Sequence, residues 1–189
     1  MLLGVQVGLA RPLQAGDQSV MSGIRKHAAT GPVGVRAMGL AGDEQADLTV
    51  HGGLAKAVYA YPIEHYEYWR GQQAALGRSA DPLPYGSLGE NLTLSGLLET
   101  GVFVGDTLRF PGCTLRVTQP RKPCFKFNAV MGDPLAARKM QQTGYCGFYL
   151  AVDAAGSIEA GQRFELVPGP RETPLMTLFR FAPGSRQAP

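Results

Sequence analysis

At 189 residues the chain is long enough for one sizeable core, and 44% hydrophobic against 17% charged residues is a globular mixture that excludes a charge-rich disordered chain. The formal charge of +3 comes from scattered Arg and Lys without a long basic run, so no nucleic-acid-binding footprint is present. No segment approaches the roughly 18 apolar residues of a membrane span, and the start MLLGVQVGLARPL lacks a basic n-region and is interrupted by Gln6, so a cytoplasmic protein with neither nucleic acid nor membrane as partner is expected.

Short apolar runs of period two, set between Gly, Pro and Asp, predict strands. Val5, Val7 and Leu9 alternate in the first run, and Val33 and Val35 in the next. Val58 to Tyr61 is a third strand. Pro62 then suits the first turn of a helix through PIEHYEYWRGQQ, which turns Ile63, Tyr66 and either Trp69 or Arg70 to one side. Arg78 to Ser87, RSADPLPYGS, is a loop dense in turn formers. From Leu92 strands return as NLTL, DTLRF, CTLRVT, YCGFYLAV and QRFELV; one further helix is expected at DPLAARKMQQ, with Pro134 inside its start and Gly144 just past its end. Beyond Val167 the Pro-rich segment is irregular apart from LMTLF. The expected fold is mostly β with a few helices, an antiparallel barrel or sandwich over residues 1–167, with 168–189 as a partly packed tail. No repeat and no Gly-rich phosphate fingerprint occurs.

Three cysteines without a CxxC pair fit reduced thiols better than a disulfide framework. Cys113 shares a strand face with Leu115 and Val117, and Cys146 with Phe148, Leu150 and Val152, so both read as buried filler. Cys124 differs. In TQPRKPCFKF it is approached through Pro120 and Pro123 and flanked by Arg121, Lys122 and Lys126. A thiol of ordinary pKa, about 8.5, is only about 3% ionised at pH 7. One cation ~6 Å away at an effective dielectric of ~40 contributes ~1.4 kcal/mol, about one pKa unit, so two make the thiolate a major species. The alternative is a solvated basic loop beside an inert cysteine.

A second constellation is GDEQADLTVHGG, Gly42 to Gly53, followed by Lys56. Asp43, Glu44, Asp47 and His51 are possible ligand types, but their spacing fits neither HExxH nor an EF-hand loop. His51 also reads as a turn histidine bonded to backbone. Gly52 and Gly53 let backbone N–H groups approach an anion closely, and Lys56 adds a cation, which together suit a phosphate or other oxyanion. The third segment, GENLT, offers Glu90 and Asn91 to the edge of a heterocycle, although an Asx turn explains Asn91 equally well.

Taken in order, GLAGDEQADLTVHGGLAKAVYAYPIEHYEYW, GENLTLSGL, VGDTLRF and TQPRKPCFKFN resemble the MOSC domain, named for the C-terminal domain of molybdenum cofactor sulfurases, and within it the YiiM-like branch. The agreement spans residues 39–128, with weaker likeness on either side. The resemblance implies a MOSC-type β-barrel binding a molybdopterin-type molybdenum cofactor, with the thiolate of Cys124 on the metal, chemistry that suits a soft ligand. It places His51, Gly52, Gly53, Lys56, Glu90, Asn91 and Arg121 in the cofactor and substrate pocket. Two departures stand out. The Pro-rich tail is too short for the helical extension many relatives carry, and Ala55 stands where relatives commonly have an acidic residue before the motif lysine.

The function the resemblance implies is reduction of N-hydroxylated small molecules, such as hydroxylaminopurine-type bases or amidoximes, to amines or amidines. Cys124 would hold the metal and His51 would deliver protons. No flavin, haem or Fe–S motif occurs, so a separate flavoprotein or other reductase is the expected electron donor. A non-catalytic carrier of the cofactor, or of sulfur as a Cys124 persulfide, is an alternative from another class. A metal-free thiol hydrolase using Cys124 and His51 is a third.

Overall fold

A computed structural model describes residues 1–48, 52–78 and 82–180. The chain begins with β1 (Leu2–Val7), the hairpin β2 (Arg11–Ala15) and β3 (Gln18–Ser22), and the short β4 (His27–Ala28), β5 (Val33–Arg36) and β6 (Gly39–Leu40). A 3-10 turn at Leu54–Lys56 leads into β7 (Val58–Pro62), a second at Ile63–His65 into α1 (Tyr66–Ala75), and the chain returns through β8 (Leu92–Leu94). After a third such turn at Glu99–Gly101 come β9 (Thr107–Arg109), β10 (Thr114–Pro120), α2 (Phe125–Met131), α3 (Ala136–Thr143), β11 (Phe148–Ala154), β12 (Gly156–Ile158), β13 (Glu165–Val167) and α4 (Leu175–Arg180). Among the described residues no helix is long and apolar enough to cross a membrane.

Eight strands form the main sheet, in the order β13-β9-β10-β11-β7-β8-β1-β4, beside a three-stranded sheet β12-β5-β6 and the hairpin β2-β3. The mostly β expectation is met, but the barrel is not. Among the described residues no ladder joins β13 to β4, and edge strands of three and two residues carry too few backbone groups to close the sheet. Pairing is antiparallel except between β7 and β8, which run parallel because α1 and the following loop make the crossover.

β7 divides the interior. Val58 and Ala60 enter one core with Leu2, Leu115, Phe148 and Leu150; Tyr59 and Tyr61 enter a second with Trp69, Leu88, Phe127 and Met140. Alternation sends successive side chains to opposite faces, and both faces are covered, so VYAYP reads as an unbroken apolar run. Trp69 Nε1 donates to Tyr61 Oη at 2.7 Å, which satisfies the indole within the second core.

Several sequence expectations shift. The first strand ends at Val7, and Leu9 is 46% exposed. Pro62 closes β7 rather than opening the helix, whose buried face is Tyr66, Trp69 and Gln73; Arg70 lies outward, paired with Glu67. Cys146 does not share a face with Phe148: it packs in the second core and Phe148 in the first. Gly147 between them holds φ +62, and a Cβ there would meet the Ala60 carbonyl oxygen at 2.4 Å. The helix α2 was not expected. It buries Phe127 and Met131, stops at Gly132 with φ 54, and is capped by Arg78, which donates to the carbonyls of Met131 and Gly132.

The segment after Val167 is stitched to the sheet. Arg171 adopts φ 57, donates to the buried Asp106 carboxylate at 3.2 Å and lies 4.9 Å over the Phe103 ring. Asp106 also accepts the amides of Phe103 and Gly169. Beyond it α4 places Leu175 in the first core and Phe179 in the second. Leu175→Ala should therefore cost about 2–5 kcal/mol of unfolding free energy, read as a lower urea midpoint at unchanged m-value; a loss under about 0.5 kcal/mol would show that α4 is not part of the cooperative unit.

Candidate functional site

A cleft opens where β7, β11 and the β10–α2 connection meet the segments 22–26 and 43–47. Arg121 and Cys124 line it from the connection, Lys126 from the first turn of α2, Lys56 from the 3-10 turn ahead of β7, Tyr59 from β7, Tyr149 from β11, and Lys26 from the opposite wall. Pro120 ends β10, and Cys124 is the extended residue (φ −137, ψ 173) that immediately precedes α2. The thiol therefore sits where the chain changes direction, half-buried, while Cys113 and Cys146 are buried in the cores. Burial pushes the Cys113 thiol up to about 11 and the Cys146 thiol well upward, which keeps both protonated and inert.

Arg121 is 5% exposed, and among the described residues no carboxylate forms an ion pair with it. Its Nη1 donates to the Leu88 carbonyl at 3.1 Å and to Tyr59 Oη at 3.4 Å, and the guanidinium lies 4.7 Å from the Phe127 ring centroid and 5.0 Å from that of Tyr59. Burial works against its charge, but the Tyr59 and Tyr149 oxygens and the Cys124 sulfur outweigh burial and raise its pKa. Burial raises the Tyr59 and Tyr149 phenols against the pull of Arg121, which leaves both carrying their protons at neutral pH. Lys56 Nζ lies 6.0 Å from the Tyr149 ring centroid.

The expected ring of cations around the thiol is rearranged. Arg121 and Lys126 line the cleft, but Lys122 is exposed and is not among its lining residues. Lys26 and Lys56 take its place from distant segments. Lys126 Nζ donates to the Met21 carbonyl at 3.2 Å, and Lys26 forms a buried pair with Asp43. Two carboxylates of the second motif are bound to the segment after β1: Asp43 also accepts the Gly8 amide at 2.8 Å, and Glu44 the Ala10 amide at 2.8 Å. His51 lies outside the described residues. Gly53 N–H donates to Gln45 Oε1 at 2.7 Å, and a Cβ on Gly52 would meet that same oxygen at 2.4 Å. These glycines thus seat the Gln45 side chain, whose Nε2 also donates to the Met38 carbonyl at 2.6 Å, and the Gly53 amide is spent there rather than on the cleft.

The third motif both lines and braces the cleft, with Gly89 and Asn91 in its wall. Asn91 Oδ1 accepts the Tyr59 amide at 3.0 Å and its Nδ2 donates to the Gln6 carbonyl at 3.2 Å, so its amide joins β1 to β7. Glu90 is fully buried and does not line the cleft. Its carboxylate accepts from the amides of Gly86 and Leu88 and the hydroxyls of Tyr66 and Thr93. Burial raises its pKa against those four donors. Sequence reading missed Lys26, Tyr59, Tyr149 and Gln45. Lys26 and Gln45 carry no motif, and the two tyrosines sit in strands whose apolar pattern marks core.

The sequence profile of the MOSC domain matches residues 47–165. The chain belongs to the MOSC domain family. This MOSC chain is 39% identical over 166 residues to the uncharacterized protein YflK of Bacillus subtilis (strain 168), covering 88% of itself and 72% of YflK. A protein named "Reductase" from Gibberella moniliformis (strain M3125 / FGSC 7600) is 33% identical over 170 residues, 89% of this chain but 29% of that much longer protein. The crystal structure of YiiM from Geobacillus stearothermophilus superimposes with a TM-score of 0.72 at 31% identity, covering 95% of this chain and 83% of that one.

Two outcomes follow from the MOSC cleft. A bulky thiol reagent should modify one cysteine per native molecule, lost in Cys124→Ala, and three after denaturation; modification of Cys113 or Cys146 at a comparable native rate would contradict the packing. Glu90→Gln reverses the polarity of one carboxyl oxygen among four donors and should destabilise by about 1–3 kcal/mol, measured as a drop in Tm, while leaving Cys124 labelling at one per molecule.

Proposed function

We propose that this protein is a molybdenum-cofactor-dependent oxidoreductase that reduces N-hydroxylated small molecules, such as hydroxylaminopurine-type bases and amidoximes, to amines or amidines. Membership of the MOSC family, named for molybdenum cofactor sulfurases, and likeness to a protein named as a reductase support the reading. The observation that carries it is Arg121, a buried guanidinium without a carboxylate partner among the described residues, beside the thiol that faces the same cleft. A buried charge of this kind is costly, and an anionic ligand at the cleft offsets that cost.

The donor set fits the cofactor. One soft thiolate suits a heavy transition metal, while Arg121, Lys56 and Lys126 oppose the negative charge of a dithiolene and phosphate. The space between the lining side chains is about 90 Å³, room for the metal end of the group and not for its pterin, so the remainder must extend along the open side of the cleft. When bound, the molybdenum centre would supply two-electron reduction of the N–O bond.

The chain's own groups do the rest. Cys124 would hold the metal end, and the Arg121 guanidinium, fixed by Leu88 and by the Phe127 and Tyr59 rings, would keep that sulfur anionic. Tyr149, which keeps its proton, would offer a hydroxyl group from the cleft wall, the Tyr59 hydroxyl being donated to the Cys146 carbonyl at 2.8 Å, and Gln45, Gly52 and Gly53 would hold Lys56 in place through the turn. His51 is proposed as a proton donor from the same turn. Of the two residues assigned to the cofactor by the resemblance, Asn91 lines the cleft and also holds β7, while Glu90 would act indirectly through β8.

Protein produced in a molybdenum-replete host with an intact pterin pathway should carry molybdenum and oxidised pterin fluorescence near one equivalent, and Cys124→Ala should lose most of the metal. The loaded protein should reduce an N-hydroxylated base with a reduced dye as donor. Loaded protein without turnover would turn the reading to a cofactor carrier; wild type with neither metal nor pterin would leave the thiol-hydrolase chemistry of Cys124 instead.

A further inference from the structure

His65 and Glu99 form a buried pair outside the cleft: neither lines it, and His65 Nε2 lies 2.7 Å from Glu99 Oε2. The imidazole is set by stacking. Its ring lies 3.9 Å from that of Tyr145 at an interplanar angle of 11°, and edge-on to Tyr61 at 5.8 Å. The other carboxylate oxygen, Glu99 Oε1, accepts the Gly147 amide at 2.6 Å. Gly147 ends the short strap 145–147 between the stop of α3 at Gly144 and the start of β11 at Phe148. Its amide is thus taken by a side chain and not by a neighbouring strand. The three carbonyls of the strap all accept from groups already described. Tyr145 takes the Tyr61 hydroxyl at 2.9 Å, Cys146 the Tyr59 hydroxyl at 2.8 Å, and Gly147 the Arg121 backbone amide at 3.4 Å. The strap also presses on two rings, since a Cβ at Gly147 would stand 2.9 Å from both Tyr59 and Tyr61.

We propose that Glu99, held by His65, is a positioning residue for the cleft: by fixing Gly147 it sets Tyr59 and, through Tyr59 and the Arg121 backbone, the guanidinium that shares the cleft with Cys124. This positioning does not depend on the reductase reading. Without the carboxylate the Gly147 amide is buried and unpaired, which costs more than the bond itself contributes, so the strap shifts until the amide finds another acceptor. The Tyr59 hydroxyl follows its acceptor on Cys146. Its ring, 5.0 Å from the Arg121 guanidinium, moves with it, and the same guanidinium donates to that hydroxyl at 3.4 Å. A buried charge held by rings and neutral acceptors moves when one of those supports moves. The positive potential at Cys124 then falls.

The test reads the charge preference of Cys124 in the whole folded chain, as the ratio of its alkylation rates with iodoacetate and with iodoacetamide, followed at that residue by peptide mass. Both reagents attack the thiolate, so the ratio cancels the ionised fraction and reports the local potential. Arg121→Gln sets the scale and should lower the ratio by about tenfold. Glu99→Ala should lower it at least about twofold. Glu99→Gln should restore it, because its amide oxygen still accepts from Gly147 and its Nε2 still meets the imidazole. Leu175→Ala, in the first core, should lower Tm by a comparable amount and leave the ratio as in wild type. An unchanged ratio in Arg121→Gln or Glu99→Ala, a ratio in Glu99→Gln as low as in Glu99→Ala, or an equal fall in Leu175→Ala would overturn the proposal. If Glu99→Ala does not fold, His65→Phe keeps a ring on Tyr145 but removes the donor to Glu99; it should lower the ratio in the same direction, and a wild-type ratio there would overturn the proposal equally. No substrate turnover enters these rates, so they stand or fall separately from the reductase reading.

Discussion

A buried guanidinium that pairs with no carboxylate among the described residues organises much of this molecule. Arg121 draws together Tyr59 from β7, the Leu88 carbonyl ahead of β8, Phe127 from α2 and Met140 from α3, four parts of the chain that also share the second core. Two aromatic faces and neutral acceptors solvate the charge without cancelling it, and desolvated cation–π contacts of this kind are worth about 2 kcal/mol. The positive potential that remains is directed to the one thiol outside the cores. Had a carboxylate neutralised Arg121, the same fold would present Cys124 to a far less attractive cleft for an anion.

That arrangement depends in turn on β7 being buried on both faces. One set of alternate residues supplies aliphatic packing to the first core, and the other supplies Tyr59 to the cleft and Tyr61 to the second core. Asn91 fixes the height of Tyr59 by bonding its backbone amide, and Glu90 locks the turn before β8 with four donors. Buried polar groups as fully paired as these specify one arrangement of strands. Within the motif GENLT, Asn91 and Gly89 line the cleft while Glu90 supports it from beneath, where the sequence alone offered both Glu90 and Asn91 to a ligand.

Cys124 was legible because its neighbours are unusual in kind, and Arg121 because it falls in an ordered set of motifs. Lys122 was misplaced because charge alone does not say which way a residue faces: Arg121 is buried at the cleft while Lys122, next to it, is exposed. Lys26 was invisible because it reaches the cleft from nearly a hundred residues away in sequence. The helices α2 and α4, of seven and six residues, are too short for a 3.6-residue period to register, yet they place Phe127 and Phe179 in the second core. Cys146 was assigned to the wrong face because the turn at Gly147 interrupts the alternation just before β11 begins.

The amino-acid sequence by itself determined the predominance of strands, the stop at Gly144 and the separation of one thiol from two fillers. Each follows from residue type or from a period of two, which are local properties. Only the tertiary structure decided that the main sheet stays open, which cations face the thiol, and that Glu90 lies beneath the cleft rather than in it. Those outcomes depend on strand order and burial, and both are set by contacts between residues far apart in the chain.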